Sequence, residues 1–222
     1  PTDMVCDICE GDVSLLGDAG GDGTTYTYKI REGIEFHDGT PLNAHDVVAT
    51  FQKIIFPPEG VRSSRKTFFS MVESVEATDD YTVVFNLCNP DGAFLPKVAF
   101  SAFGIQDADY LRENPAPGAL LDQPNGTGPY MLRDWRRGEE IILEANPDYW
   151  GEAPLTETVV MRWSSEPGQK LIELQSGNAD GIDNPSVDDL GSIEADENLQ
   201  LLPREALNVF YVGMNNNFTP FD

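Results

Sequence analysis

Residues 22–51 read DGTTYTYKIREGIEFHDGTPLNAHDVVATF, and this stretch decides the fold because a strand, a tight turn and a helix follow one another in it. In its first part, Tyr26, Tyr28 and Ile30 alternate with polar residues. Such alternation gives a strand one apolar face, so the sequence predicts a half-buried strand here.

The second part of the stretch predicts a tight turn that leads into a helix. Asp38-Gly39 supplies the positive backbone angles that a tight turn needs, and Pro41 gives the next element a rigid start. Asn43 is a favourable N-cap residue. The helix after it has apolar residues at helical spacing on one face, namely Val47, Val48, Phe51, Ile54 and Ile55. Pro57-Pro58 ends this helix, because proline lacks the amide hydrogen and disfavours helical angles in the residue before it.

Two His-Asp pairs in the stretch, His37-Asp38 and His45-Asp46, raise the question of a metal site. His37 precedes the turn, whereas His45 lies in the first turn of the predicted helix. No imidazole and carboxylate share the i, i+4 spacing of a helical zinc motif. We therefore expect these residues to build the turn and the helix, and we expect no metal and no cofactor.

Farther along the chain, SVEATDDYTVVFNL (residues 74–87) predicts a β-hairpin with its turn at residues 78–80. Its second strand has Tyr81, Val83, Phe85 and Leu87 on a common face. Prolines punctuate residues 90–126, where we expect a short apolar helix around Ala93 to Val98.

The pattern changes after Gly126-Thr127-Gly128-Pro129. YMLRDW and EIILEA predict two strands joined at Arg137-Gly138, and ETVVMRW predicts a third. The remaining segment alternates helices with short strands: a helix capped by Ser165, a strand at ADGID, a helix capped by Ser186, and strands at QLL and NVFYVGM. Such alternation implies a partly parallel sheet with crossover helices.

These patterns together predict an α/β fold of mixed α+β type with two unlike lobes. Residues 1–127 are rich in hairpins, whereas residues 128–222 alternate strands with helices. The glycines near residue 127 mark the boundary, and we expect them to act as a hinge.

The charge of the chain excludes some partners. Its 222 residues include 38 acidic and 14 basic residues, for a formal net charge of −24. This charge repels the phosphates of nucleic acids and anionic lipids, so we expect no nucleic-acid partner. No stretch approaches the roughly 18 apolar residues of a membrane span.

Two short motifs have both a functional and a structural interpretation. Cys6-Asp-Ile-Cys9 is a CxxC that suits a redox pair or half of a zinc site, or consists of two small residues one helical turn apart. We favour the last interpretation, since the sequence has no second CxxC and no thioredoxin-type pattern around this one. GDAGGDG, residues 17–23, suits either a calcium loop or a flexible turn, and the missing ligand spacing favours the turn.

Several segments in one order resemble the dipeptide and oligopeptide-binding family of solute-binding proteins that serve ABC importers. The matching segments are residues 22–51, SVEATDDYTVVFNL, GTGPYMLRDWRRGEEIILEANPDYWG, LIELQSGNAD and NVFYVGMNNNFTPFD. The resemblance runs from about residue 22 to Asp222. It implies part of a two-lobed periplasmic-binding-protein-like fold, with residues 1–127 as the small middle lobe and residues 128–222 as part of the large ligand-binding lobe. Family proteins are longer, so we expect an N-terminal fragment that ends where a third lobe begins.

The resemblance also implies the function. Relatives hold an extended peptide in a cleft between lobes and deliver it to the permease subunits of an ABC transporter, and some take nickel complexes, haem or oligosaccharides instead. We therefore expect a monomeric, non-enzymatic protein that binds a peptide or another small solute. It is expected in the periplasm or outside the cell, with contact to the membrane only through the permease or through a lipid anchor of the full form.

The resemblance places six candidate ligand-binding residues in this chain. Asp183, Asn184, Tyr211 and Gly213 correspond to positions that line the cleft, and Phe68 and Phe69 lie in a loop that approaches it. Each has a structural alternative. Tyr211 alternates with apolar neighbours as core residues do, Asn184 precedes a proline and suits a cap or turn, and the two phenylalanines suit anchors of a solvated loop.

Two other classes of function remain as alternatives. An enzyme would use paired carboxylates or the CxxC, but no GxSxG or HExxH spacing is present. A fragment without independent binding function would expose an apolar face where a further lobe docks, and would tend to associate.

Overall fold

The computed structural model of the chain describes residues 4–12, 22–114, 119–163, 167–203 and 219. The chain divides into two compact units, Pro1–Arg162 and Trp163–Asp222. The predicted lobe boundary near residue 127 lies inside the first unit, between its two sheets. The boundary near residue 127 stays a prediction. The two compact units are defined by contacts within this chain, whereas the two lobes are defined by the resemblance to longer relatives.

The first unit begins with a three-stranded sheet that one helix covers. Strands β1 (Thr25–Lys29), β2 (Val72–Asp79) and β3 (Thr82–Leu87) form this sheet in the order β1-β3-β2, and helix α1 (Ala44–Ile55) packs on it. Both strand pairs are antiparallel. The predicted strand, helix and hairpin are therefore confirmed, with Pro57 and Pro58 directly after the C-cap of α1.

Aromatic packing joins α1 to the sheet. The Phe51 ring of α1 meets the Phe85 ring of β3 edge to face, with centroids 5.0 Å apart. It meets Phe69 in the same way at 5.5 Å. The alternation in β1 and β3 buries the faces that the sequence predicts, since Tyr26, Tyr28, Val83 and Phe85 are all buried. Edge-to-face pairs of this kind stabilise a core by about 0.5–1.5 kcal/mol each beyond the area they bury.

A capping box starts helix α1. The Asn43 side-chain oxygen accepts a hydrogen bond from the His45 amide, and Asp46 Oδ2 accepts one from the Asn43 amide, each at 2.8 Å. Asp46 is buried and its other oxygen accepts from the Ala108 amide, also at 2.8 Å. Burial raises the pKa of Asp46, helped by the negative charges of Asp107 and Asp109 and opposed by the two backbone hydrogen bonds.

A helical connection leads from the first sheet to a second one. Its helices are α2 (Phe94–Val98), α3 (Ala108–Glu113) and α4 (Ala119–Asp122), of which α2 confirms the short apolar helix expected around Ala93 to Val98. Strands β4 (Tyr130–Arg136), β5 (Glu140–Ala145) and β6 (Thr158–Arg162) then form an antiparallel sheet in chain order. The three strands that the sequence predicts here are confirmed.

The second unit contains helices α5 (Pro167–Gln175) and α6 (Leu190–Glu194), with a 3₁₀ turn at Val187–Asp189. Leu171 of α5 and Ile193 of α6 are buried, and Gly177 ends the α5 segment with a positive φ of 75°. The Ser186 side chain caps the 3₁₀ turn, as predicted. The predicted Ser165 cap and the NVFYVGM strand lie outside the described residues.

Two strand predictions in this unit are wrong. Residues 179–183 and 200–202 form no strand, and every strand pair of the described residues is antiparallel, so no partly parallel sheet is present among them. Asp180, Gly181 and Asp183 are of types that strands disfavour, and no neighbouring strand within the described residues pairs with this segment.

The interpretation of Cys6 and Cys9 is also wrong. They form a disulfide, and Cys9 makes an antiparallel bridge with Ile30 just past the end of β1. The segment therefore runs along the sheet instead of forming a helical turn. The GDAGGDG motif falls largely outside the described residues. Among those residues, no helix is long and apolar enough to cross a bilayer.

The capping box allows a direct test of what starts α1. Replacing Asn43 by Ala removes the side-chain acceptor, so we expect the free energy of unfolding to fall by about 1 kcal/mol. Asn43→Ser keeps an acceptor and should retain most of the stability. Urea unfolding followed by circular dichroism measures both variants, and equal losses in the two would contradict the capping role.

Candidate functional site

Asp183 and Asn184 lie in an exposed turn of the second unit, between α5 and α6. Asn184 has a φ of 52°, in the left-handed region that asparagine tolerates better than most residues. Its Nδ2 donates a hydrogen bond to Asp183 Oδ2 at 3.0 Å. The turn thus presents a carboxylate and an amide to solvent, which are the groups that pair with peptide N–H and C=O groups.

Tyr211 and Gly213, the other two candidates from this part of the sequence, lie outside the described residues. The sequence predicts Asp183 at the end of a strand, whereas the structure places it in a turn. The backbone strain at Asn184 fits that turn, since a left-handed residue reverses the chain direction locally.

Phe68 and Phe69 are adjacent in a short 3₁₀ helix, Lys66–Phe69, but their environments are opposite. Phe69 is 1% exposed, and its ring lies 4.9 Å from that of Phe103, so it is a core residue without a surface for a ligand. Phe68 is 43% exposed. Phe69 therefore anchors its loop in the core, which was the structural alternative to ligand binding. Of the two phenylalanines, only Phe68 is accessible to a solute.

Phe68 belongs to an exposed aromatic patch, which we define as Phe68, Phe100 and Arg65. The Phe68 and Phe100 rings are nearly parallel, at 12°, with centroids 6.3 Å apart. The Arg65 guanidinium lies over the Phe103 ring, 5.7 Å from its centroid. Apolar faces next to a guanidinium suit a solute with a planar or apolar group and a carboxylate.

His37 has a role that the sequence analysis did not identify. Its backbone amide donates to the Gly126 carbonyl at 2.8 Å. Its ring Nδ1 accepts from the Gly126 amide at 3.4 Å, and its Nε2 lies 3.1 Å from the Gly128 carbonyl. This arrangement requires the tautomer with hydrogen on Nε2, because Nδ1 must accept. The ring therefore fastens the segment between the two sheets.

Further side chains hold the same segment, residues 125–129. The Trp150 indole donates to the Thr127 carbonyl at 3.0 Å, and the Asn146 backbone amide donates to the Pro129 carbonyl at 2.9 Å. The buried Asn125 donates to Asp38 Oδ2 at 2.9 Å and accepts from the Asp38 amide at 3.2 Å. The carbonyls of residues 126–129 thus all accept hydrogen bonds, which anchors the predicted hinge to both neighbouring sheets.

Metal ligation has no support in the part of the chain that the structure describes. No group of three or more His, Cys, Asp or Glu side chains is placed to hold an ion there. The exposed His45 ring lies 3.9 Å from the Asp80 carboxylate, whereas the His37 ring contacts main-chain atoms of residues 126 and 128.

Comparison with known proteins identifies the family. The family described as bacterial extracellular solute-binding proteins, family 5 Middle, matches residues 18–222. Because this match covers most of the chain, the chain belongs to that family of binding proteins. The resemblance inferred from the sequence is therefore confirmed.

Individual relatives agree with this assignment. The chain is 32% identical over 220 residues to heme-binding protein A of Haemophilus influenzae, covering 90% of this chain and 40% of that protein. HbpA2 from Haemophilus parasuis matches with a TM-score of 0.79 and 29% identity, covering 93% of this chain and 45% of that one.

A third relative is known with a bound solute. The ABC transporter-associated periplasmic binding protein DppA from Helicobacter pylori, in complex with the peptide STSA, matches with a TM-score of 0.73 and 28% identity. That match covers 83% of this chain and 40% of the other. The chain spans about 40% of the length of the curated relatives it matches. Its fold is a mixed α/β part of the two-lobed fold of periplasmic binding proteins.

Phe68 and Phe69 form a matched pair that separates recognition from stability. Phe69→Ala removes a buried ring, so we expect a loss of about 3–5 kcal/mol in the free energy of unfolding. Phe68→Ala should cost less than about 1 kcal/mol, because its ring is already partly in water. Chemical denaturation measures both, and a loss at Phe68 as large as that at Phe69 would place Phe68 in the core.

The Asp38 carboxylate, which is hydrogen-bonded to Asn125, should make the stability of the protein depend on pH. Partial burial raises the pKa of Asp38, but hydrogen bonds from Thr40 and Asn125 outweigh it and hold that pKa below the ordinary value of 3.8. A lowered folded pKa stabilises the protein above the unfolded pKa, and this stabilisation is lost as the pH falls through the folded pKa. Thermal melts of wild type and Asp38→Asn should therefore differ most near neutral pH and converge in acid. A difference that grows on acidification would contradict this assignment.

Proposed function

We propose that the chain is part of an extracytoplasmic solute-binding protein that captures peptides and presents them to an ABC importer. Membership in the family over residues 18–222 is the observation that carries this proposal. The match to a periplasmic protein in complex with the peptide STSA supports the peptide as solute class. We further propose that the protein is a monomer without catalytic activity.

Peptide recognition by main-chain hydrogen bonds needs many contacts. Each well-made bond contributes about 1 kcal/mol net, whereas micromolar affinity requires about −8 kcal/mol. In the second unit, Asp183 and Asn184 supply an exposed acceptor and an exposed amide. Tyr211 and Gly213 remain part of the proposal through the resemblance alone.

The exposed aromatic patch of the first unit is a second surface that we propose for contact with the peptide. Phe68 is accessible and is backed by Phe100, so a peptide side chain that covers it removes apolar surface from water. Arg65, whose guanidinium lies over the adjoining Phe103 ring, adds a positive charge in a chain whose net charge is −24. Phe69, which is fully packed, supports Phe103 beneath this patch and contacts no solute.

Transport places further requirements on the whole protein. A bound solute favours the closed arrangement of the lobes by contacting more than one of them, and the permease then recognises that arrangement. We propose a periplasmic or extracellular location, with membrane association through the permease or through a lipid anchor on the full-length protein.

Haem is the second candidate solute. One relative, 32% identical, bears the name heme-binding protein A. The exposed rings of Phe68 and Phe100 offer apolar surface to a macrocycle as well as to a peptide.

Calorimetry with the peptide Ser-Thr-Ser-Ala and absorbance titration with hemin distinguish the two solutes. We expect saturable peptide binding that Phe68→Ala and the double variant Asp183→Ala, Asn184→Ala each weaken about tenfold, without loss of secondary structure. Asp180→Ala, an exposed change in the same unit, serves as the matched control. Saturable hemin binding without peptide binding would replace the peptide by haem, and binding of neither solute would contradict the proposal.

A further inference from the structure

The disulfide loop, which we define as residues 6–9, presents two successive carbonyls to one side chain and its backbone. Only Asp7 and Ile8 lie between the cysteines. The Arg31 backbone amide donates to the Ile8 carbonyl at 2.9 Å, and Arg31 Nε donates to the Asp7 carbonyl at 2.7 Å. The disulfide holds the Cα atoms of its cysteines 4.9 Å apart, which keeps the loop tightly curved. This curvature directs both carbonyls at Arg31, just past the end of β1.

Arg31 links the disulfide loop to Trp150, which lies between β5 and β6. The Arg31 guanidinium lies over the Trp150 ring, 5.9 Å from its centroid, within the range of a cation–π contact. The Trp150 indole in turn donates to the Thr127 carbonyl at 3.0 Å. The Asp7 carboxylate acts on the same region, since burial raises the pKa of Tyr149 and the negative charge of Asp7 raises it further. A chain of direct contacts thus joins the disulfide loop to the segment between the two sheets.

The two ends of the disulfide loop are held differently. Cys9 forms an antiparallel bridge with Ile30, which does not depend on the disulfide. By contrast, residues 4–6 make no backbone hydrogen bond to any other described residue. Loss of the disulfide would therefore leave Cys9 beside the sheet and release Cys6. The neighbouring Asp7 carbonyl would then lose the fixed position in which it binds its donor.

We propose that the Cys6–Cys9 disulfide is a reversible redox site that controls, through Arg31 and Trp150, how firmly residues 125–129 are held. A dithiol reductant opens the site. One of its thiolates attacks a disulfide sulfur and breaks the sulfur–sulfur bond, and its second thiol then displaces the cysteine from the mixed disulfide. Cys6 and Cys9 each gain one electron and one proton, and the reductant leaves as a disulfide. Both cysteines are partly exposed, so a small dithiol reaches them.

Reduction is expected to change local order without unfolding the first unit. A cross-link between positions only three apart removes little freedom from the unfolded chain, so it contributes little to global stability. The large buried rings of the core, among them Phe51, Phe85 and Phe94, belong to the sheet and its helices and not to the disulfide loop. Residues 125–129 should instead open more often, because one of the contacts that hold them is weakened.

Hydrogen exchange measured by mass spectrometry tests this coupling. The free, exposed Cys88 is first replaced by Ser, so that the reductant acts on the disulfide alone. We expect dithiothreitol to raise amide exchange in residues 125–129 about threefold, the equivalent of one exposed cation–π contact, and to leave exchange in α1 unchanged. Thiol titration verifies that reduction is complete. Unchanged exchange in residues 125–129 after complete reduction, an equal rise in α1, or a disulfide that dithiothreitol does not reduce in the folded chain would overturn the proposal.

Variants separate the disulfide from the link to Trp150. The double variant Cys6→Ser, Cys9→Ser should show the raised exchange without reductant and no further change with it. Arg31→Ala keeps the disulfide but removes the link, so reduction should no longer alter exchange in residues 125–129. Lys29→Ala, an exposed basic position two residues earlier, is the matched control and should respond as the parent chain does. A response that persists in Arg31→Ala would overturn the route through that side chain.

Two further readouts follow from the same contacts. Reduction should move tryptophan emission to longer wavelength, because the Trp150 ring loses its guanidinium cover to water. Trp150→Phe should abolish this shift, whereas Trp163→Phe, at an exposed position, should retain it. After reduction, iodoacetamide should label the released Cys6 faster than Cys9, and equal labelling would contradict the different anchoring of the two ends. These measurements use no peptide, so their outcome is independent of the proposed function.

Discussion

The contact between Phe51 of α1 and Phe85 of β3 is the interaction on which the rest of the first unit depends. It fixes the rotation of α1 on the sheet, and with it the position of Asp46 at the helix start. Asp46 then binds the Ala108 amide and so locates α3. Through Phe69 and Phe103 the same ring cluster sets the floor under the exposed Phe68 and Phe100. One buried aromatic cluster therefore positions the surface that we propose for solute recognition.

Local features of this fold could be predicted from the sequence, because the spacing of apolar residues, every two residues in a strand or every 3.6 in a helix, is visible within a short segment. The alternation around Tyr26 and Tyr28, the Asn43 cap and the apolar face ending at Ile55 are of this kind. The strand predicted at ADGID, residues 179–183, is absent, because a segment of this length and composition forms a strand only beside a pairing partner. Phe68 and Phe69 illustrate the limit for the site, since adjacent identical residues differ only in which one the 3₁₀ helix directs inward.

Long-range contacts could not be predicted in this way. The bonds from His37 to residues 126 and 128 join positions about ninety residues apart, and nothing in either local pattern specifies them. The Cys6–Cys9 disulfide is close in sequence, yet its packing depends on Ile30 in a separate element. The family resemblance indicated a solute-binding function, which the local patterns did not. It did not predict that Asp183 and Asn184 lie in a turn.

The anchoring of residues 125–129 bears on how such a protein changes shape. Glycines at 126 and 128 supply backbone freedom, whereas His37, Asn146 and Trp150 hold the carbonyls of residues 126–129. A hinge needs a few residues that absorb changes in backbone angles while their surroundings stay packed. Rotation at this segment would break several hydrogen bonds at once, each worth about 1 kcal/mol. A Cβ placed at Gly126 would lie 3.5 Å from the His37 ring, which is an ordinary contact distance, and one placed at Gly128 would meet no atom within 4 Å. The hydrogen bonds of this segment, and not tight packing against its glycines, therefore oppose rotation here.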